Sequence, residues 1–325
     1  MQERYGLPVL AIDLGGTKIM AALISHQGQV MAREYHLTLA GEGPQSVINR
    51  ILSAIDHLLR VGNIDLSQLH SISIAAAGAI DFDLGLVTSS PNLPGWHNVL
   101  LRDMVNRKYK VKTFLINDAS AGALGEHHFG VGRGVNNLVY LTVGTGIGGG
   151  IIINGRLYSG PSGSAGEIGH MTIDVNGPRC SCGNIGCLEM LASGTAIARE
   201  AVRRISEGKE SSLTQMAWGK RENVTAEKVA VAARGGDGLA LEVISKAAIY
   251  LGGGMVNLVN IFNPDMIIVG GGVSQMGDLL LEPARRVVKE RAFQLSAQAV
   301  RIVPAQLGDN AGVLGAAVFA YGQPL

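Results

Sequence analysis

The sequence predicts an α/β protein with largely parallel sheets, built as two domains of related fold. Apolar strand-like runs alternate with helix-period segments along the chain. Residues 9–33 (VLAIDLGGTKIMAALISHQGQVMAR) and 138–160 (LVYLTVGTGIGGGIIINGRLYSG) repeat one layout. Each is a strand, a glycine-rich turn carrying a threonine, and a second strand, followed by a tight polar-Gly pair (Gln27-Gly28, Asn154-Gly155) into a third. A length of 325 residues leaves room for two cores.

After the first hairpin, residues 45–61 place Val47, Ile48, Ile51, Leu52, Ile55, Leu58 and Leu59 on one helical face. HSISIAAAGAI (70–80) and KTFLIND (112–118) read as buried strands, and a hinge between domains is placed near 118–135. The second half reads as mostly helical, over 190–207, 225–235 and 239–262. The last of these stops at Asn263-Pro264, since proline cannot continue a helix. A strand at MIIVGGG (266–272), a helix near 277–292, a strand around 300–304 and a helix near 311–321 complete the pattern.

Charge and targeting signals exclude several classes of function. With 27 basic and 26 acidic residues the net charge is +1, too little to steer nucleic acid or an anionic membrane. The opening MQERYGLP lacks the layout of a signal peptide. The run AAIYLGGGMVNLVNIF is broken by glycines and asparagines and reads as a buried helix, not a membrane span. A cytoplasmic enzyme is the expectation. The 45 glycines amount to about twice the usual share of ~7 % and have no collagen period, so they belong to turns and close backbone approaches.

GTGIGG (144–149) matches the dinucleotide fingerprint, but a strand follows it where a helix is required, and that reading fails. DLGGTK, TVGTGIGG and VGGGVS are instead three glycine clusters at strand ends. Their bare backbone N–H groups and threonine hydroxyls suit phosphate oxygens, and simple tight turns are the alternative. Asp13, beside the first turn, suits Mg²⁺. Asp118, ending a strand, suits a general base for a hydroxyl nucleophile, or else an N-cap of the next helix. Asn92, in the proline-bracketed PNLPGW, offers an amide for a sugar hydroxyl or an Asx-turn.

All three cysteines, Cys180, Cys182 and Cys187, lie in one loop after His170, in the pattern H-x9-C-x-C-x4-C. Three thiolates and an imidazole complete a tetrahedral structural zinc site, with free buried thiols as the alternative. The metal would tie down the loop and fix Glu167 and Glu189, which flank the ligands, to grip a polyhydroxylated ligand.

These motifs together resemble the ROK family (repressors, open reading frames and sugar kinases), in its bacterial glucokinase branch. The resemblance spans essentially the whole chain. It rests on AIDLGGTK, AAAGAID with PNLPGW, INDASAGALGE, LTVGTGIGGG, and GEIGH with CSCGNIGCLE. It implies two actin-like (ribonuclease H-like) lobes with a cleft between them and a zinc-bound loop in the second. The expected lobes are 1–118 and 119–310, with a last helix over about 311–325 packing back on the first. The activity implied is transfer of phosphate from ATP, with Mg²⁺, to a hexose, glucose foremost. Asp118 would be the catalytic base, and Asn92, Asn117, Glu167, His170 and Glu189 the sugar ligands, with His170 also on zinc. Asp13, Gly15, Gly16, Thr17 and Lys18 would form the first phosphate loop, and Gly144, Thr145 and Gly146 the second. Gly270, Gly271 and Gly272 would lie near the adenosine. AAAGAI (75–80) departs from many relatives, which carry a proline before the glycine.

Kinases of N-acetylmannosamine, N-acetylglucosamine and other hexoses share this frame. A repressor of the same family would need a DNA-binding domain ahead of DLGGTK, and only residues 1–12 precede it here, so none is expected. A sugar-binding protein without catalysis is the remaining alternative, and intact DLGGTK and IND speak against it. No nucleic-acid or membrane partner is expected; a homo-oligomer, dimer or tetramer, is.

Overall fold

The computed structural model describes residues 6–82 and 84–323. The first hairpins form as expected: β1 (Val9–Leu14), β2 (Lys18–Ile24) and β3 (Val30–Leu37) pair antiparallel in sequence. α1 (Pro44–Val61) opens with proline at its first position, where a missing N–H leaves no hydrogen bond unmade. Val47, Ile48, Ile51, Ile55 and Leu58 of its predicted face are buried, and Leu52 and Leu59 pack partly buried against the same cluster. At about 1.5–3 kcal/mol for each large aliphatic side chain fully removed from water, that stripe is what holds α1 on the sheet.

β4 (Ser71–Ala76), β5 (Ala79–Asp81), β6 (Leu86–Ser89), β7 (His97–Val99), α2 (Leu101–Tyr109), β8 (Thr113–Asn117) and α3 (Asp118–Phe129) follow. β4 and β8 join β1 in parallel, giving the order β3-β2-β1-β4-β8. The single strand expected over 70–80 is two. Gly78, at φ 115°, breaks it, and β5 leaves to make a small antiparallel sheet with β6 and β7. A side chain at Gly78 would strike the Ser89 carbonyl, so only glycine permits that bend.

The second sheet comprises β9 (Leu138–Val143), β10 (Ile147–Ile153), β11 (Arg156–Leu157), β12 (Met266–Gly270) and β13 (Arg301–Pro304), in the order β11-β10-β9-β12-β13. Counted along the chain, both large sheets run third-second-first-fourth-fifth. The repeated hairpins are therefore the opening of a repeated sheet.

The helices between these strands are α4 (Leu188–Ala192), α5 (Gly194–Ser206), α6 (Leu213–Met216), α7 (Ala226–Arg234) and α8 (Gly238–Phe262). α9 (Asp278–Arg291), α10 (Gln294–Ala299) and α11 (Ala311–Tyr321) complete the set. The helix expected over 190–207 is interrupted at Ser193, whose hydroxyl accepts the Ala196 N–H at 3.2 Å and caps α5. α8 is long and apolar enough to cross a membrane, yet it buries a stripe including Leu251, Met255 and Leu258 and packs against α4, α5, α7 and α9. It ends where expected, at Asn263 in the left-handed conformation (φ 43°) before Pro264.

The described residues fall into two compact units. One holds those up to Asn136, Gly150–Gly166 and those from Gln306 on; the other holds Asn137–Gly149 and Glu167–Ala305. In the first unit α11 packs on α3, β1 and β4. Gly125 of α3 abuts the Ala311 carbonyl and Gly315 of α11 abuts the Ala121 carbonyl, with no space for a methyl group at either. Of the helix expected over 311–325, residues 324–325 lie outside the described part.

Candidate functional site

The first unit gathers the charged candidates. Asp13 is near the end of β1, and Gly15, Gly16 and Thr17 form the turn into Lys18 at the start of β2. The turn is closed by the Gly15 N–H donating to the Lys18 carbonyl at 3.0 Å. Buried Thr38 braces it twice: its hydroxyl donates to the Gly15 carbonyl at 2.7 Å, and its N–H to the Thr17 carbonyl at 2.9 Å. Lys18 Nζ pairs with Asp309 at 2.6 Å. On the other side, a β-carbon at Gly16 would come 2.7 Å from Asn92 Cβ and 2.8 Å from the Asn92 carbonyl. Exposed Asn92 therefore sits directly on the turn.

Asp118 begins α3, but it is not the cap. Asn117 caps the helix, accepting the Ser120 N–H at 3.0 Å while donating to the Gly78 carbonyl at 3.1 Å. Gly312 of α11 lies directly against the Asp13 carboxylate. Burial, then the negative charge of Asp118, push the Asp13 carboxyl up to about 7; Lys18 opposes and Asp309 adds to the rise. A carboxylate whose charge is disfavoured by burial and by a second carboxylate suits a hard divalent cation such as Mg²⁺, which would offset that negative charge.

The second unit carries the other candidates. Gly144, Thr145 and Gly146 make the turn between β9 and β10, closed by the Gly144 N–H donating to the Gly146 carbonyl at 2.9 Å. Glu189, on α4, accepts the Ile147 N–H at 2.9 Å through Oε2. One carboxylate oxygen of this expected sugar ligand is thus engaged with the glycine turn. Gly270 ends β12 opposite Thr142 of β9, and Gly271 and Gly272 lead into the 3-10 turn Gly272–Met276. Glu167 precedes the short 3-10 turn Ile168–His170. Burial pushes its carboxyl above the usual carboxylate range, with His170 opposing and Glu189 adding.

His170, Cys180, Cys182 and Cys187 come together, with one ligand atom from each within 4.8 Å of the rest. Cys180 Sγ is 3.7 Å from His170 Nδ1, and Cys182 Sγ is 3.7 Å from Cys187 Sγ. Zn–S bonds of about 2.3 Å at tetrahedral angles require ligand separations of about 3.8 Å, so the donor set fits zinc in both chemistry and size. Nδ1 faces the sulfurs, leaving Nε2 toward Glu167 Oε2 at 3.9 Å. Asn184 Nδ2 lies within hydrogen-bond reach of the His170 carbonyl (3.3 Å), Thr172 Oγ1 (2.9 Å) and Cys187 Sγ (3.4 Å), and its two N–H groups brace the loop around the ligands.

The structure thus divides the candidates: Asp13, the first turn, Asn92, Asn117 and Asp118 are in one unit, and the second turn, Gly270–Gly272, Glu167, His170, Glu189 and the cysteines in the other. Thr38, Asp309 and Asn184 are additions that sequence reasoning missed. Asp309-Asn310 directly precedes the glycine-containing helix AGVLGAAV, and that polar pair was the available signal.

The ROK family profile matches residues 9–323. A glucokinase of Thermotoga maritima is 39 % identical over 311 residues, covering 96 % of each chain. A xylose repressor of Caldicellulosiruptor bescii is 36 % identical over 307 residues, which is 94 % of this chain and 76 % of the repressor. Among solved structures, a ROK family glucokinase from Streptomyces griseus in complex with glucose and AMPPNP superposes with a TM-score of 0.86 at 32 % identity, covering 97 % of this chain and all of that one. With the family pattern spanning nearly every described element, the chain belongs to the ROK family.

Proposed function

We propose that this protein is an ATP-dependent hexose kinase whose substrate is glucose, forming glucose 6-phosphate and ADP. The observation that carries the reading is the grouping at the first glycine turn, where Asp118, the proposed base, and the Lys18 amine both lie within electrostatic reach of Asp13, the proposed cation-binding carboxylate. Asp118 takes the proton of the sugar 6-hydroxyl as its oxygen bonds to the terminal phosphorus and the bond to ADP breaks. Mg²⁺ carried with ATP would supply positive charge beside the transferring group. Asp13 holds that ion, Gly15 to Lys18 and Gly144 to Gly146 line the phosphates, and Gly270 to Gly272 lie by the adenosine.

Asn92, Asn117, Glu167, His170 and Glu189 hold the sugar hydroxyls. Zinc on His170, Cys180, Cys182 and Cys187 is structural and keeps Glu167 and His170 in place. The protein works in the cytoplasm, where its thiols stay reduced, and as a homo-oligomer. The glucose and AMPPNP in the Streptomyces griseus relative support the choice of substrates.

The test is ADP release with Mg·ATP across glucose, fructose, mannose, allose, N-acetylglucosamine and N-acetylmannosamine, with Asp118→Asn alongside. Glucose-dependent release that falls by about 10²–10⁴ in the variant, with glucose binding retained, is expected. Near-normal turnover in Asp118→Asn would remove the base assignment. Preference for an N-acetyl sugar would change the substrate and keep the mechanism. Sugar binding without release would favour a regulatory role, as in the repressors among the relatives.

A further inference from the structure

The second glycine turn is held from outside by one later segment of the chain. Gly194 N–H donates to the Gly144 carbonyl at 2.7 Å, and the Thr195 hydroxyl donates to the Thr145 carbonyl at 2.8 Å. Glu189 takes the next N–H, that of Ile147. A trans peptide is planar, with its C=O and N–H pointing in opposite directions. Tying down the carbonyls of Gly144 and Thr145 therefore turns the N–H groups of Thr145 and Gly146 to the opposite side. No protein acceptor among the described residues takes either of those two N–H groups. A β-carbon added at Gly144 would likewise meet nothing within 4 Å. Two adjacent donors are thus turned away from the segment that holds the turn, which makes no use of them itself.

We infer that Thr195 is a positioning residue for the nucleotide: its hydroxyl, together with the Gly194 N–H, orients the turn so that the Thr145 and Gly146 N–H groups meet phosphate oxygens. The inference rests on the reading of residues 144–146 as a phosphate turn and adds the device that aims it. It also gives a role to the start of α5, which lies one short helix beyond the last cysteine of the metal cluster.

The experiment measures binding of Mg·ADP and of glucose separately, by titration calorimetry on the full chain. Thr195→Val keeps the shape and removes the donor. It is expected to weaken Mg·ADP roughly three- to tenfold, the scale of one hydrogen bond, and to leave glucose affinity unchanged. Thr195→Ser, which restores the hydroxyl, is expected to recover Mg·ADP binding, and Thr195→Ala gives the same selective loss without steric demand. Gly144→Ala separates this inference from the reading beneath it, because its methyl group is free of protein contacts. Loss of Mg·ADP binding in Gly144→Ala with normal binding in Thr195→Val and Thr195→Ala would overturn the positioning role alone. Normal binding in Gly144→Ala would overturn the phosphate turn and the inference with it. Equal loss of glucose and Mg·ADP in the Thr195 variants would make Thr195 a general structural residue and also overturn the proposal.

Discussion

The two glycine turns begin the same kind of sheet and are held in different ways. The first, Gly15 to Lys18, is braced by Thr38 from the end of β3 and is surrounded by charge: Asp13, Lys18, Asp118 and Asp309. The second, Gly144 to Gly146, carries no ionisable side chain, and its supports are an amide, a hydroxyl and one carboxylate borrowed from residues 189–195. A repeated sheet therefore provides two glycine turns, and in the proposed function the chemistry of proton and cation belongs to one of them. The other is specialised by what is packed behind it.

Among changes at the turns and their supports, the largest expected effect separates the two by contact. Gly16→Ala must displace Asn92, since the new methyl group would sit 2.7 Å from its β-carbon. Misplacement of this kind is worth about 10² in turnover, and both the glucose and the ATP KM should rise. Steady-state kinetics with each substrate varied check this; a rise in only one KM would mean that Asn92 and the turn act separately.

Next is the metal segment behind the second turn. Cys182→Ser is expected to lower zinc content, read by atomic absorption, and to raise the glucose KM by at least roughly tenfold, the scale on which even outer hydrogen bonds of a metal site matter. A zinc-free variant with wild-type glucose affinity would uncouple the metal from the sugar.

The smallest effect concerns α5, the helix that carries Thr195. Glu200 pairs with Arg203 at 2.8 Å and with Lys246 of α8 at 3.1 Å; the Arg203 hydrogen bond first, and Lys246 with it, hold its carboxyl down to about 2. A carboxyl lowered in the folded state contributes stability above its unfolded pKa, near 4.3, and loses that contribution as pH falls toward 2. Because the partners are half-exposed, we expect about 1 kcal/mol. Denaturant unfolding of Glu200→Gln should show a deficit of that size at pH 7 that vanishes near pH 2; a deficit independent of pH would exclude the ion pair as its source.

What could be read in the sequence was local. Each hairpin announces itself within about 25 residues through strand alternation and glycine, and the cysteine spacing is closed within one loop. α1 was legible because its apolar stripe repeats over 18 residues. The break at Gly78 was not, because AAAGAI is apolar on both sides of it and the bend depends on Ser89, a residue from another strand. The short α2, LRDMVNRKY, was hidden by its polar composition. Thr38, Asp309 and Thr195 were missed for a common reason: each acts on a turn distant in sequence, and a threonine or aspartate alone carries no sign of its target. The choice between Asn117 and Asp118 as cap needed the Ser120 N–H itself.

The glycine contacts between α3 and α11 also bear on the order in which the protein is made. α11 fills a face of the first sheet, and Tyr321 at its end places its hydroxyl 3.0 Å from the Leu7 carbonyl and 3.2 Å from the Ile24 carbonyl, within hydrogen-bond reach of both. The ribosome reaches α11 only after it has made every residue of the second unit. During synthesis, then, the unit begun first is finished last. Until α11 arrives, the apolar strands β1 and β4 wait with one face uncovered, in the interval when a nascent chain has most need of a chaperone.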